Sequence, residues 1–179
     1  IGSGKQLINH KVAVENFIQE KKPVVLALNT NKNIDNELID LRVACHPIRL
    51  MADAESHLVL PQPLITPLSL LPKYFSEKFS KKKVLDYGLG ISDQSFEFYN
   101  NYCLIPKPLV FSYSIALAVS GNAKKIYLAG FGGFENDDER NNELEETIQI
   151  FSSAEKAIEL IAITPTLYKG LNSKSVYGL

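Results

Sequence analysis

The feature that most constrains the fold is an apolar run that ends in glycine, within residues 124–138. It reads Lys-Lys-Ile-Tyr-Leu-Ala, then Gly-Phe-Gly-Gly, and then polar and acidic residues. Such a run predicts a buried parallel strand that leads into a loop. The small apolar residues of 112–121 and the acidic start of 137–151 predict helices on either side of it. Because ligands of open α/β sheets bind at the carboxyl ends of strands, the loop 130–138 is predicted to face a binding site, with Gly130 and Phe131 as candidate ligand-binding residues.

The rest of the chain repeats this alternation of short apolar runs and helical patterns. The patterns predict a helix over 5–20, strands at 23–28, 41–45, 57–60 and 159–163, and a loop over 60–72. They also predict a strand over 84–91 that is broken by Gly88 and Gly90, and an added hairpin or irregular edge from 96–99 and 102–105. The alternation predicts a three-layer, Rossmann-like α/β fold, with a mostly parallel sheet and helices on both faces. A chain of 179 residues is expected to form one domain, residues 1–179. Its opening residues resemble the end of a strand and the loop after it, which predicts the C-terminal fragment of a longer chain.

Composition excludes several classes of function. The net charge of −1 gives no broad field for nucleic acid or an anionic membrane, and no apolar run approaches the ~20 residues of a membrane span. Cys45 and Cys103 are the only cysteines and lack metal-type spacing, so no metal site is predicted. Free buried thiols are typical of cytoplasmic proteins, where we expect this one, although sequence leaves a disulfide between them open.

The segment Gly2, Ser3, Gly4 and Lys5 opens the first predicted helix and is a candidate phosphate loop. Glycines before a helix let backbone N–H groups approach an anion, and Lys5 would add charge. A simple tight turn with a solvated lysine explains the same residues. If the loop holds a ligand, Gly4→Val is predicted to abolish binding with the fold retained.

Polar residues after the next strand are further ligand-binding candidates. Asn29 and Thr30 are predicted at the strand tip, where amides can bind a base or ribose, although they also suit a turn. His46 follows another strand with Arg49 and is a weak candidate catalytic base. The alternative is that Arg49 pairs with Asp53 at helical spacing and that His46 only caps a helix.

Ser112 and Tyr113 are predicted at the start of the small-residue helix. Hydroxyl and backbone N–H groups at such a position can hold a phosphate or a sugar. Helix capping alone explains them and is the more frequent role of such residues.

Four stretches resemble bacterial CMP-dependent sialyltransferases and hydroxymethylpterin diphosphokinase-like domains. They are Gly2-Ser3-Gly4, Leu28-Asn29, Ser112 to Gly121 and Lys125 to Asn136. The resemblance implies a Rossmann-like sheet that binds cytidine or another nucleotide, with Gly2, Ser3 and Gly4 near phosphates, Asn29 near base or ribose and Ser112 near the donor. The sialyltransferases carry a general-base His beyond the strand that corresponds to 125–129, whereas His10, His46 and His57 all lie upstream of it.

Residues 39–47, 135–140 and 163–166 are similar to the C-terminal region of bacterial aldolase-like proteins. In that family an HMG-CoA lyase-type or 4-hydroxy-2-oxovalerate aldolase-like barrel precedes this region, in surface-polysaccharide contexts. The resemblance implies a nucleotide- or nucleotide-sugar-binding domain appended to such a barrel. Two alternatives stay open, namely a non-catalytic interaction domain that forms homo-oligomers and a sialyltransferase-like enzyme.

Overall fold

Helices and strands alternate through residues 1–135 and 137–179, which the computed structural model describes. The helices are α1 (Lys5–Asn9), α2 (Lys11–Lys21), α3 (Pro47–Ala52), α4 (Ala54–Val59), α5 (Lys73–Lys78), α6 (Val110–Ser120) and α7 (Glu139–Ser152). The strands are β1 (Leu26–Leu28), β2 (Leu41–Val43), β3 (Leu64–Thr66), β4 (Val84–Asp86), β5 (Gly88–Ile91), β6 (Glu97–Phe98), β7 (Tyr102–Ile105), β8 (Lys125–Leu128), β9 (Glu159–Ala162) and β10 (Asn172–Ser173).

Two groups of parallel strands are joined into one layer by the first residues of the chain. Strands β1 to β4 form one group in sequence order, and β8, β9 and β10 form the other. Leu28 N donates to Ile1 O at 3.0 Å on one side, and Gly2 N donates to Ala129 O at 2.8 Å on the other. The order across the layer is therefore β10, β9, β8, Ile1–Gly2, β1, β2, β3, β4.

The two faces of this layer bury different apolar clusters. In β9 and just after it, Leu160 and Ala162 pack in the cluster with α6 and α7, whereas Ile161 and Ile163 pack in the cluster with α2. A third cluster lies under α3, α4 and α5. Full burial of one such side chain contributes about 1.5–3 kcal/mol. The period-two alternation gives the three-layer, Rossmann-like α/β architecture that the sequence predicts.

A small second sheet covers α6 on the side away from the main layer. Strand β7 pairs in parallel with β5 and antiparallel with β6, and α6 contacts β1 as well as β6 and β7. A side chain at Gly90 would reach within 2.5 Å of a Leu104 methyl group, so glycine allows this packing. The predicted hairpin of 96–99 and 102–105 is confirmed.

Several predicted elements are wrong. Residues 57–60 lie at the end of helix α4, because a short apolar run does not distinguish a strand from a buried helix. The predicted loop 60–72 contains β3, whose flanking prolines stand at strand ends where they are tolerated. The predicted break in the strand 84–91 is present, although it falls at Tyr87 and the two parts belong to two different sheets. The predicted helix 5–20 is interrupted at His10.

Both cysteines are buried free thiols, which resolves the alternative that sequence left open. No described helix is long and apolar enough to cross a membrane. Within residues 1–135 and 137–179, no cluster of three or more His, Cys, Asp or Glu side chains is arranged to hold a metal ion.

Candidate functional site

A crevice opens where the direction of the strand crossovers changes. The Ile1–Gly2 segment continues through α1 and α2 on one face of the layer, whereas β8 continues through α7 on the opposite face. Loops of adjacent parallel strands that depart to opposite faces leave a gap between them. This is the position at which ligands bind in open α/β sheets.

The gap is a cleft of about 1220 Å³. Among the predicted ligand-binding residues, it brings together Gly2, Ser3, Gly4, Lys5, Asn29, Thr30, Gly130 and Phe131. Three of the four distant segments that are predicted to converge thus meet at one site, and the fourth, at Ser112, does not line it. Whether these residues bind a ligand stays a prediction.

The glycines of the cleft are required by contacts within the protein. A Cβ atom at Gly4 would lie 2.6 Å from Gly130 O, and one at Gly2 would lie 2.7 Å from the same atom. Gly130 has a φ of +81° and donates its N–H to Thr164 Oγ1 at 3.0 Å. The N–H groups of Gly2 and Gly4 bond to Ala129 O and Gly130 O. These two N–H groups are therefore engaged with the protein, and close packing of the two loops accounts for the glycines.

The loop after β1 is held from beneath by Arg42, which lies fully buried in β2. Arg42 Nη1 donates to Asn31 O at 2.6 Å and, at the limiting distance of 3.5 Å, to Asn29 O. Its Nε donates to Gln62 Oε1 at 2.8 Å and its Nη2 to Asn36 Oδ1 at 2.8 Å. Burial lowers the pKa of the guanidinium, which nevertheless remains charged because its ordinary value is so high.

Asn31 connects this loop to the glycine segment. Its Nδ2 donates to Gly2 O at 2.6 Å, and its Oδ1 accepts from Asn33 N at 2.8 Å. Asn29, at the strand tip, has a left-handed backbone with a φ of +53°, which Asn tolerates better than most residues. The loop is thus anchored on both sides of the cleft.

Basic side chains line the part of the cleft formed by the first three loops of the main layer. Lys5 and Lys32 are exposed there, and Arg49 reaches the cleft from α3. Arg49 Nε also lies 3.6 Å from Asp53 Oδ2, so the predicted pairing of these two residues is present. Whether Arg49 also binds an anion stays a prediction.

Acidic side chains line the opposite part of the cleft, at the start of α7. Glu135, Asp138 and Glu143 contribute there, together with Arg140. Arg140 hydrogen-bonds to Asp138 at 2.5 Å and thereby lowers the pKa of that carboxyl to about 2. The guanidinium carbon lies 3.9 Å from the ring centroid of Phe134. The cleft is therefore polarised, with net positive charge at one end only.

An apolar wall lies between the two charged ends. Leu109, Val110, Phe111 and Phe131 form it, and the rings of Phe111 and Phe131 meet edge to face at 5.3 Å between centroids. An apolar wall with a few polar groups is typical of sites for organic ligands.

Ser112 and Tyr113 do not line the cleft. Helix α6 begins at Val110, two residues earlier than predicted, so neither residue is at the N-cap position. Ser112 is fully buried, and Tyr113 donates its hydroxyl to Tyr87 O at 2.5 Å. Both belong to the core that supports Phe111.

His46, the candidate base, is exposed at the N-cap position of α3 and does not line the cleft. Its side chain makes no capping hydrogen bond. His10 Nδ1 lies 3.0 Å from Tyr177 Oη. His57 is a buried residue of α4. No imidazole group therefore lines the cleft among the described residues.

Sequence reasoning missed Lys32, Arg42 and Glu143 as parts of the site, whereas Glu135 and Asp138 fall in the loop 130–138 that is predicted to face it. One available signal for Arg42 was its position inside the apolar run Leu41-Arg42-Val43-Ala44-Cys45, where a charged residue needs a special environment. Comparison of the chain with protein-family models, curated proteins and solved structures gives no significant match.

Proposed function

We propose that this domain binds an anionic, nucleotide-like ligand in the cleft between the glycine segment, the loop after β1 and the loop after β8. The observation that carries the proposal is the position of the cleft at the crossover point, with Lys5, Lys32 and Arg49 at one end and an apolar wall beside them.

The size and chemistry of the cleft favour a nucleotide or nucleotide sugar over a small ion. A volume of about 1220 Å³ exceeds the roughly 300–1,000 Å³ that is usual for sites of organic ligands, so the cleft has room for a ligand much larger than a small ion. The basic end suits phosphate groups, and the wall with Phe111 and Phe131 suits a base or sugar ring. Carboxylates at the far end suit sugar hydroxyl groups as hydrogen-bond acceptors.

The resemblance to aldolase-like proteins extends the proposal to a larger assembly. In that extension, the domain serves an aldolase-like barrel of the same chain and supplies nucleotide or nucleotide-sugar binding. This part rests on residues 39–47, 135–140 and 163–166 alone. A sialyltransferase that uses His46 as its base gains no support from the geometry, because His46 lies outside the cleft.

Calorimetric titration of the domain with CMP, CDP, GDP and their sugars tests the binding proposal. We expect a saturable heat with one or more of these ligands. The variants Lys32→Ala and Arg49→Ala should each weaken binding by up to about fivefold, as expected for exposed charge contacts of up to about 1 kcal/mol.

Lys81→Ala and Lys83→Ala are matched controls, because both lysines are exposed and neither lines the cleft. Equal losses of affinity in the control and cleft variants would show that the effect comes from the overall charge of the protein and not from contacts in the cleft. Absence of heat with every ligand would overturn the proposal. Light scattering on the same samples reports whether the domain forms homo-oligomers.

A further inference from the structure

The loop 29–33 presents backbone N–H groups that no group in the described part of the protein accepts. Asn29 N donates to Val43 O, Asn31 N to Leu28 O, and Asn33 N to Asn31 Oδ1. The N–H groups of Thr30 and Lys32 have no acceptor among the described residues. Both residues line the cleft.

The orientation of these two N–H groups follows from the carbonyls that Arg42 binds. Every described peptide bond is trans, so the C=O and the next N–H of one peptide unit point in opposite directions. Asn31 O points to Arg42 at 2.6 Å, and Lys32 N–H therefore points away from it. Asn29 O makes a longer contact of 3.5 Å with Arg42, which directs Thr30 N–H in the same sense.

The charge of Arg42 reinforces this arrangement. All its described hydrogen-bond acceptors are neutral, namely the Asn29 and Asn31 carbonyls and the side chains of Asn36 and Gln62. A buried cation without a carboxylate partner favours negative charge nearby. It also polarises the Asn31–Lys32 peptide unit, whose positive end is the outward N–H. Successive outward N–H groups of this kind form anion-binding concavities in proteins.

We propose that the anionic group of the ligand binds to the N–H groups of Thr30 and Lys32, with buried Arg42 as the positioning residue behind them. This inference rests on the proposed function of the cleft and assigns its phosphate position. The glycine segment is the weaker candidate, because the N–H groups of Gly2 and Gly4 already donate to Ala129 O and Gly130 O.

Backbone amide NMR on the ¹⁵N-labelled wild-type domain tests the inference directly. CMP and inorganic phosphate are the two probes, titrated separately. We expect saturable shifts of the Thr30 and Lys32 amide signals with both probes, and smaller shifts for Gly2 and Gly4. Cytidine, which lacks the phosphate, should shift the signals of the apolar wall and leave Thr30 and Lys32 nearly unchanged.

Each outcome separates this inference from the proposed function. CMP shifts confined to residues 3–5, with Thr30 and Lys32 unmoved, would overturn the phosphate position and leave the binding function intact. Absence of shifts anywhere in the cleft, with CMP and with the other nucleotides and nucleotide sugars, would overturn both.

Two variants test the role of Arg42. Gln62→Glu keeps the shape of the side chain and places a carboxylate beside Arg42 Nε, where the amide oxygen now lies at 2.8 Å. Arg42→Lys keeps the charge and loses the forked geometry. Each should raise the Kd for CMP about tenfold, the loss expected for one hydrogen bond to a charged group, and leave the Kd for cytidine within about twofold.

Equal losses for CMP and cytidine would show that Arg42 only stabilises the fold and would overturn its positioning role. Where a variant does not fold, the wild-type titration decides the phosphate position by itself. Urea denaturation of each variant separates lost stability from lost affinity.

Discussion

Replacement of Gly4 by alanine is predicted to destabilise the fold because of a contact with backbone. The new Cβ would lie 2.6 Å from Gly130 O, the atom that accepts the Gly4 N–H at 3.0 Å. Overpacking of this kind costs about 1–3 kcal/mol, and loss of the hydrogen bond costs about 1 kcal/mol. Reduced entropy of the unfolded chain returns about 0.4–1 kcal/mol. The free energy of unfolding should therefore fall by about 1–3 kcal/mol.

Thermal and urea denaturation measure this loss, which corresponds to a Tm decrease of about 2–4 °C per kcal/mol for a chain of this size. Gly178→Ala is the matched control, because a Cβ at Gly178 meets no atom within 4 Å. Equal stability of the two variants would refute the assignment of Gly4 to loop packing. The larger side chain of Gly4→Val should destabilise more, so we no longer expect that variant to retain the fold.

Three further predictions follow from shifted pKa values. Burial lowers the pKa of His57 to about 4, and the nearby Asp53 opposes this shift. The folded state therefore favours the neutral imidazole, and the free energy of unfolding should decrease as pH falls from about 6.5 to about 4. Urea denaturation of a His57→Phe variant should lack this part of the decrease. Hydrogen bonds from the side chain and the backbone N–H of Arg140 lower the pKa of Asp138 to about 2. The pair therefore stabilises the fold above about pH 4, and this contribution is lost as pH falls through about 2. Carbon NMR titration should find the Asp138 pKa raised toward its ordinary 3.8 in Arg140→Gln, which keeps only the backbone donor, and an unchanged pKa would contradict the side-chain contact. Burial raises the pKa of both cysteine thiols to about 12. Ellman's reagent at pH 8 should therefore modify them only after urea is added. Rapid reaction of the folded protein would show that the thiols are accessible.

The periodic parts of the fold could be predicted from sequence, and the short elements could not. Strand β8 and its glycine loop follow from one apolar run with a clear end, and α7 follows from its acidic start and apolar stripe. Helix α4 has six residues, which is too short for helical periodicity to separate it from a strand. Strand β10 has two polar residues, and only its partner β9 defines it.

The candidate site, too, could be predicted from sequence only in part. The sequence predicts that the glycine loops and the tip of β1 lie at one edge of the sheet, because the carboxyl ends of parallel strands meet there. It does not reveal that Gly2 and Gly4 allow close packing against the loop that contains Gly130, since a glycine needed for packing and a glycine needed for a ligand look the same in a sequence. Arg42 was missed because its four acceptors come from residues 29, 31, 36 and 62, which only the folded chain brings together.

The position of α6 between two sheets has a consequence for how the chain is made. This helix has eleven residues without a charged side chain, and six consecutive positions, Phe111–Ala116, are buried. The small sheet that covers it is formed by residues 88–105. On the ribosome these residues emerge before residues 110–120. The small sheet is therefore available to cover the apolar helix α6 as soon as that helix is synthesised. In a circular permutant that begins at α6, the helix would be synthesised before the sheet that covers it. Its apolar surface would then be exposed for longer, and we expect aggregation to compete with folding.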